Sequence, residues 1–368
     1  MRLNGTEYPE YIPNKHNWIQ KTLNQKLTNI SEVICDIDAD IIGLQEIENA
    51  NALKLLQKSL KKYGCNYKYS AITHKPKSAI QIALLSKIPI KNSKDITVTK
   101  ALGVRNILKV KFIINSYPLY IYVNHWNSKR SPNQKRVLSA LALKKELKRL
   151  PKESEYILLG DFNSNYNEYQ IKDIFNTKRE CNLNRDSFSH YNLWIEKPIY
   201  QRWSHNFYGK KTALDEMIIS PTLLDNKKID YIKNSFDVFK KKYIFHKKGY
   251  ILRWEYKKNR HKGVGYSDHL PIFAKFITNP KKDKKIECNI SISNIKELYN
   301  KNIKLPILLK KIKVINISKK SATIKQGRDK IVIFGIDKPL ELNKEYNIIV
   351  YKRKFYNGSY EIVDFDIY

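Results

Sequence analysis

Five short polar motifs, each set at the end of an apolar run, constrain this chain more than any other feature. Gln45-Glu46 follows IIGL, Asn124-His125-Trp126-Asn127 follows YPLYIYV, and Gly160-Asp161-Phe162-Asn163 follows YILL. Leu214-Asp215 opens the run EMIIS, and Ser267-Asp268-His269 precedes LPIFAKF. Short apolar runs bounded by polar residues read as buried strands, and side chains at the ends of strands are held in place by a rigid sheet. The motifs supply carboxylates, carboxamides and two histidines. That set suits metal-assisted hydrolysis of a phosphodiester, which needs a ligand for a hard cation, donors for phosphate and groups that move protons.

The remaining pattern mixes helices and strands. Residues 15 to 37 carry Trp18, Leu23, Leu27, Ile30, Val33, Ile34 and Ile37 at helical spacing, and residues 50 to 62 and 132 to 149 form two further helices. Strands are expected at 41–44, 79–86, 156–159, 214–219 and 270–277. A hairpin is expected between 106–113 and 118–124, turning at Asn115-Ser116. There is no strict alternation of strand and helix, so an α+β arrangement of two packed sheets flanked by helices is favoured over a doubly wound parallel sheet.

Taken in order, the QE, NHWNS, GDFN, LD and SDH motifs resemble the endonuclease/exonuclease/phosphatase superfamily, which includes deoxyribonuclease I and the abasic-site endonucleases. The resemblance covers about residues 15 to 277. The stretch RWSHNFYGKKTALDEMIIS ahead of SDHLPI is most similar to bacterial DNases of that superfamily. The resemblance implies a four-layer α/β/β/α sandwich. It also implies a divalent cation on Glu46, assisted by Asp268: Mg²⁺, with Mn²⁺ or Ca²⁺ as alternatives. Mg²⁺ takes only one or two carboxylates, so a single Glu suffices, and Glu48 is expected to be a solvated neighbour. His269 is implied as general base, with Asp215 fixing its tautomer. Asp161 and Asn163 are implied at the scissile phosphate, and His125 and Asn127 near the leaving oxygen. Both pairs share a face if their segments are extended. The family usually opens with an Asn-bearing strand ahead of the QE motif. None follows Met1 here, so the natural protein is expected to extend further upstream, the alternative being loss of that strand and its phosphate-site Asn.

Charge indicates the partner. Lys and Arg number 69 against 35 Asp and Glu, a net charge of +34. A Lys-, Asn- and Ile-rich background raises the count everywhere, but an excess this large favours a polyanion. Residues 239 to 262 interleave aromatics with cations just before the SDH motif. Lys247, Lys248, Arg253 and Trp254 are read there as a grip on the nucleic-acid backbone, extended by Lys129, Arg130 and Arg136. Arg202 and Ser204 of RWSH are further phosphate contacts. The leading expectation is an endonuclease acting on DNA rather than RNA, as a monomer. Alternatives are a phospholipid or inositol-phosphate phosphoesterase, or a catalytically impaired nucleic-acid-binding protein.

The four cysteines show no metal-type spacing, Cys35 reads as a small core residue, and no disulfide framework can be argued from them. No apolar run can span a membrane, and no signal peptide opens the chain, which leaves the compartment open. The catalytic domain is placed at 1–278 and a charged linker at 279–287. Residues 288–368 form a small β domain, plausibly a barrel of the oligonucleotide-binding kind. There Tyr351, Phe355 and Tyr356 sit among Lys352, Arg353 and Lys354, a pattern that suits base stacking or, equally, a solvated basic edge strand.

Overall fold

A computed structural model describes residues 8–100, 103–179, 188–280, 290–336 and 340–367, which fall into two compact units. The first comprises residues 8–194 and 203–280. After a 3₁₀ turn at Pro9–Tyr11, helix α1 spans Gln20–Ile37. The positive φ of Asn14, His16 and Asn17 stops it from starting at residue 15. Strand β1 (Ile41–Ile47), helix α2 (Ala50–Tyr63), β2 (Tyr69–Ile72) and β3 (Gln81–Ser86) follow. The order β1-β3-β2 makes a three-stranded sheet. β3 is buried at every position because it is central and covered on both faces.

Next come β4 (Ile90–Ile96), β5 (Ile107–Ile114), β6 (Tyr117–His125), helix α3 (Asn133–Leu147), β7 (Glu155–Asp161), the short α4 (Tyr169–Lys172), β8 (Thr177–Lys178) and β9 (His190–Asn192). A hairpin of β10 (His205–Phe207) and β11 (Lys210–Thr212) leads into β12 (Asp215–Ile219). The second sheet has the order β4-β5-β6-β7-β12-β9-β8. The chain then forms β13 (Ile229–Tyr231), β14 (Asp237–Val238), the hairpin β15 (Tyr256–Lys257) with β16 (Arg260–His261), β17 (Ile272–Phe273) and β18 (Phe276–Thr278). β13 pairs with β18, and β14 with β17.

The layers are α/β/β/α. Leu27 and Ile34 of α1 and Leu53, Leu56 and Leu60 of α2 pack on Ile47, Ala83 and Leu85 of the first sheet. Leu143 and Leu147 of α3 pack on Tyr122, Leu158 and Ile218 of the second. The two sheets meet at Gly43, where an added Cβ would lie 2.4 Å from Leu159 Cδ1. Gly43 therefore lets β1 lie directly on β7. Among the described residues β1 is the outer strand of its sheet, and Ile41, Ile42 and Leu44 are only partly covered.

Two expectations are corrected. Cys35 is not a free core thiol: it bonds to Cys65, with Cα atoms 5.6 Å apart, and ties the end of α1 to the chain after α2. Thirty residues separate the two in sequence, so only the packing of α1 beside α2 brings them together. Cys181 and Cys288 lie outside the described residues. Glu48, expected in solvent, is 4% exposed.

The second unit comprises residues 195–202 and the described residues from 290 onward. After β19 (Ser291–Ser293), strands β20 (Ile307–Ile317), β21 (Ser321–Gln326), β22 (Asp329–Phe334), β23 (Glu345–Tyr356) and β24 (Ser359–Ile367) close a five-stranded barrel in the order β20-β21-β22-β24-β23-β20. Of the pairs around the barrel, β22 with β24 is the parallel one. Alternate residues such as Leu309, Ile324, Ile333, Ile348 and Ile362 point inward and fill the core.

Candidate active site

Strand register builds the centre of the site. β6 and β7 run parallel with His125 beside Asp161, and β12 runs antiparallel to β7 with Asp215 opposite Asp161. His125, Asp161 and Asp215 thus form one row across the ends of three adjacent strands. His125 Nε2 lies 3.6 Å from Asp161 Oδ2. The ladder continues one step past the row: Trp126 N–H donates to Asp161 O at 2.8 Å and Phe162 N–H to Leu214 O at 2.9 Å. Gly160 permits this convergence. Its φ is +123°, and a Cβ there would sit 2.2 Å from Asn124 O and 3.0 Å from Gln45 Nε2.

His269 completes the row from outside the sheet. Its Nδ1 is 2.8 Å from Asp215 Oδ2, the oxygen that also accepts from Ser204 Oγ. A bridge between His205 and His269 joins the β10–β11 hairpin to this segment, and their rings lie 4.7 Å apart. Burial opposes charge on His269. The Asp215 carboxylate, by its charge and its hydrogen bond, and then Asp161 and Asp268 outweigh burial and push it up to about 10. Burial, with like charge from Asp215 and Glu46, raises Asp161 to about 7 against the pull of His269. Burial and the neighbouring His269 lower His205.

Two site residues hold left-handed backbone. Glu46 has φ +59° at a bulge between Leu44 and Ile47, and Asn163 has φ +48°. Asn tolerates this conformation, whereas for Glu it costs on the order of 1–3 kcal/mol. Asn163 does not continue an extended strand, as expected, but closes a turn. Its backbone N–H donates to Asp161 Oδ1 at 2.8 Å, and its Nδ2 donates to Asp161 Oδ2 at 2.8 Å and Trp126 O at 3.0 Å. The pair meets through that turn rather than through strand alternation.

The donor set fits a hard cation. Asp161 and Asp215 oppose each other in register, and ligand atoms of Asp161, Asp215 and His269 lie within 4.8 Å of one another. Glu46 lines the same cleft. Like carboxylates in direct register repel, and Asp215 and Glu46 add to the burial that raises Asp161, a repulsion that a cation would relieve. Asp268 groups instead with His205 and His269.

Other candidates are placed differently. Asn127 is buried and donates to Gly103 O at 2.6 Å, so it holds the 103 loop rather than facing the cleft. Arg202 is corrected as a phosphate contact: it is 8% exposed and donates to Asp364 at 2.6 Å within the second unit. Ser204 orients Asp215. Lys129 and Arg130 are exposed at the cleft, with Lys129 paired to Glu168. Arg136 is buried and tied to the carbonyls of Asn127, Ser128 and Ser131. Lys247, Lys248 and Arg253 are exposed, and Arg253 lines the cleft. Trp254 packs under Lys26 at 4.8 Å and bonds to His261. Sequence reading missed His205 and Arg105. Arg105 lines the cleft and donates to Trp126 O at 3.2 Å. The RWSH motif carried the signal for His205; no motif marked Arg105.

The family model described as Endonuclease/Exonuclease/phosphatase family matches residues 5–278, and the chain belongs to that family. Its superfamily's members are usually metal-dependent hydrolases. A structure of D. rerio TDP2 humanized by 14 mutations is similar at 15% identity and TM-score 0.51, covering 70% of this chain and 94% of that one. D. rerio TDP2 complexed with single strand DNA product matches at 14% identity and TM-score 0.49, over 70% and 93%. Beta toxin from Staphylococcus aureus matches at 17% identity and TM-score 0.47, over 74% and 96%. No curated protein matches the sequence. No helix among the described residues is long and apolar enough to cross a membrane.

Proposed function

We propose that the first unit is a Mg²⁺-dependent endonuclease that hydrolyses DNA. The observation that carries the reading is the row His125–Asp161–Asp215 across three strand ends, with His269 bonded to Asp215. Glu46, Asp161 and Asp215 are the residues that would hold the cation, which supplies charge neutralisation at the phosphate. Asp215 accepts from His269 Nδ1–H, which leaves Nε2 as the nitrogen able to take a proton. The Asp215, Asp161 and Asp268 carboxylates favour protonated His269; a cation held by Asp161 and Asp215 would weaken that hold and let the imidazole accept a proton from water. The water oxygen then attacks phosphorus in line as the bond to the 3′ oxygen breaks. His125 protonates the leaving oxygen and Asn163 holds the Asp161 carboxylate in place, leaving a 5′-phosphate and a 3′-hydroxyl. The +34 charge, with Lys26, Arg105, Lys129, Arg130, Lys210 and Arg253 among the residues lining the cleft, supports a nucleic acid over a lipid headgroup.

Nicking of supercoiled plasmid tests this. Cleavage should require Mg²⁺, vanish with chelator and fall in His269→Ala. Release of phosphocholine or inositol phosphate without nicking would move the activity to the other branch of the superfamily. Salt-sensitive DNA binding without cleavage would leave a binding protein.

A further inference from the structure

Two histidines meet at the edge of the proposed catalytic row, and the chemistry proposed there uses only one of them. His205 stands on β10 opposite Thr212 of β11, and His269 follows Ser267-Asp268. A backbone bridge joins the two histidines, and the adjoining pair continues it, with Leu270 N–H donating to Ser204 O at 2.8 Å. Main-chain pairing thus holds the imidazoles side by side. Their ring centres are 4.7 Å apart and their planes are tilted by 44°. Ligand atoms of His205, Asp268 and His269 lie within 4.8 Å of one another. Asp268 is exposed and the two histidines are half-buried, so the group is open to an ion from solvent.

The ring nitrogens suit a metal. His269 Nδ1 is 2.8 Å from Asp215 Oδ2, and His205 Nδ1 is 3.2 Å from Thr212 Oγ1. An imidazole that binds a metal through one nitrogen typically has its other nitrogen fixed by an oxygen in this way. With both Nδ1 atoms engaged, Nε2 is the ligating atom of each ring. Two imidazoles and one carboxylate also differ in chemistry from the all-oxygen set of Glu46, Asp161 and Asp215. Mg²⁺ takes oxygen ligands, whereas Zn²⁺ takes histidine nitrogen readily. Three protein ligands with a fourth position for water is a common Zn²⁺ arrangement.

We propose that His205, Asp268 and His269 form a Zn²⁺ site that switches the hydrolytic centre off. Zn²⁺ on His269 Nε2 occupies the lone pair that would accept a proton from water, and it leaves Glu46, Asp161 and Asp215 to Mg²⁺. The inhibition rests on the hydrolytic reading; the binding of Zn²⁺ does not.

The test uses the full chain with Mg²⁺ in excess, so that the oxygen ligands are occupied, and ZnCl₂ as the probe. Zn²⁺ affinity is read by competition with a fluorescent zinc chelator. His205→Gln removes a direct ligand and should weaken uptake on the order of 100-fold, the upper end of the loss caused by removing a residue that only orients a ligand. His205→Cys supplies a thiolate, another good Zn²⁺ ligand, and should retain uptake. Asp268→Asn, at an exposed position, should also weaken uptake and repeats the test if His205→Gln does not fold. Unchanged affinity in His205→Gln overturns the proposal, because it places Zn²⁺ on Asp161, Asp215 and His269 instead. Equal loss in His205→Cys overturns it too. In the parent, Mg²⁺-dependent plasmid nicking should fall over the same Zn²⁺ range as binding, and nicking that persists with the site filled overturns the switch. A parent that never nicks counts against the hydrolytic reading alone, and the chelator competition still decides the site.

Discussion

Asp215→Asn isolates the step on which the proposed chemistry depends. The replacement keeps size and shape but removes the charge that Asp161 faces in register and the acceptor that His269 and Ser204 share. An amide nitrogen turned towards Nδ1 forces the imidazole proton onto Nε2, the atom that must accept from water. The loss of nicking rate should be about 10³- to 10⁴-fold, the range for a general base deprived of its orienting carboxylate. The proton balance moves too. Burial works against charge on His269, and Asp215 is the largest influence that overcomes it, lifting the imidazole from 6.5 to about 10. A raised histidine stabilises the fold fully below its unfolded value and loses that contribution as pH climbs through the folded one. The parent should therefore lose stability between pH 6.5 and about 10. The full shift corresponds to roughly 4–5 kcal/mol, shared among Asp215, Asp161 and Asp268. Removing the largest contributor should flatten that limb by about 2 kcal/mol. Urea denaturation at stepped pH, beside nicking rates with Mg²⁺, reads both effects. A variant that nicks within tenfold of the parent and keeps its alkaline limb would refute the coupling of Asp215 to His269.

Three further outcomes follow from the same geometry. Glu46→Gln should cut nicking by roughly 10²-fold or more and reduce the rise in melting temperature that Mg²⁺ gives the parent, because binding to the folded state stabilises it by mass action; an unchanged Mg²⁺ titration would remove Glu46 from the ligand set. Gly160→Ala should destabilise the first unit by about 1–3 kcal/mol or more, since its φ is +123° and the new Cβ meets Asn124 O at 2.2 Å; a parental denaturation midpoint would contradict the close approach. Cys35→Ser should lower stability by roughly 3–4 kcal/mol, the value for a disulfide closing a loop of this length, and a free-thiol assay on the denatured parent should find neither Cys35 nor Cys65 reactive before reduction.

Much of the candidate site was legible because its polar side chains sit where strands stop. IIGL, YPLYIYV and YILL announce buried strands by composition, and the polar residues after them must lie at strand ends. His125 and Asp161 were placed at strand ends that way; Asp215 precedes its strand, and its pairing with His269 was implied by the family resemblance. Asn127 was misplaced for a local reason. The i, i+2 rule applies to extended chain, but β6 ends at His125, and the next residues turn so that Trp126 enters the core and Asn127 bonds to Gly103. Asn163 reached its partner by a left-handed turn that alternation does not describe. Arg202 looked like a phosphate contact because its neighbours belong to the catalytic unit, yet residues 195–202 fold with the barrel and Arg202 pairs with Asp364, 162 positions away.

What the sequence determined by itself is local: the order of strands and helices, the polar residue that ends each strand, the basic excess and the run of C-terminal strands. Periodicity and composition act over a few residues, so they can be read from neighbours. What only the tertiary structure decided is register and pairing across distance. These include the alignment of Asp161 with Asp215, the bond from Asp215 to a histidine 54 positions on, the Cys35–Cys65 disulfide and the bridge between His205 and His269. Each depends on which strand lies beside which, and packing of the whole core settles that choice.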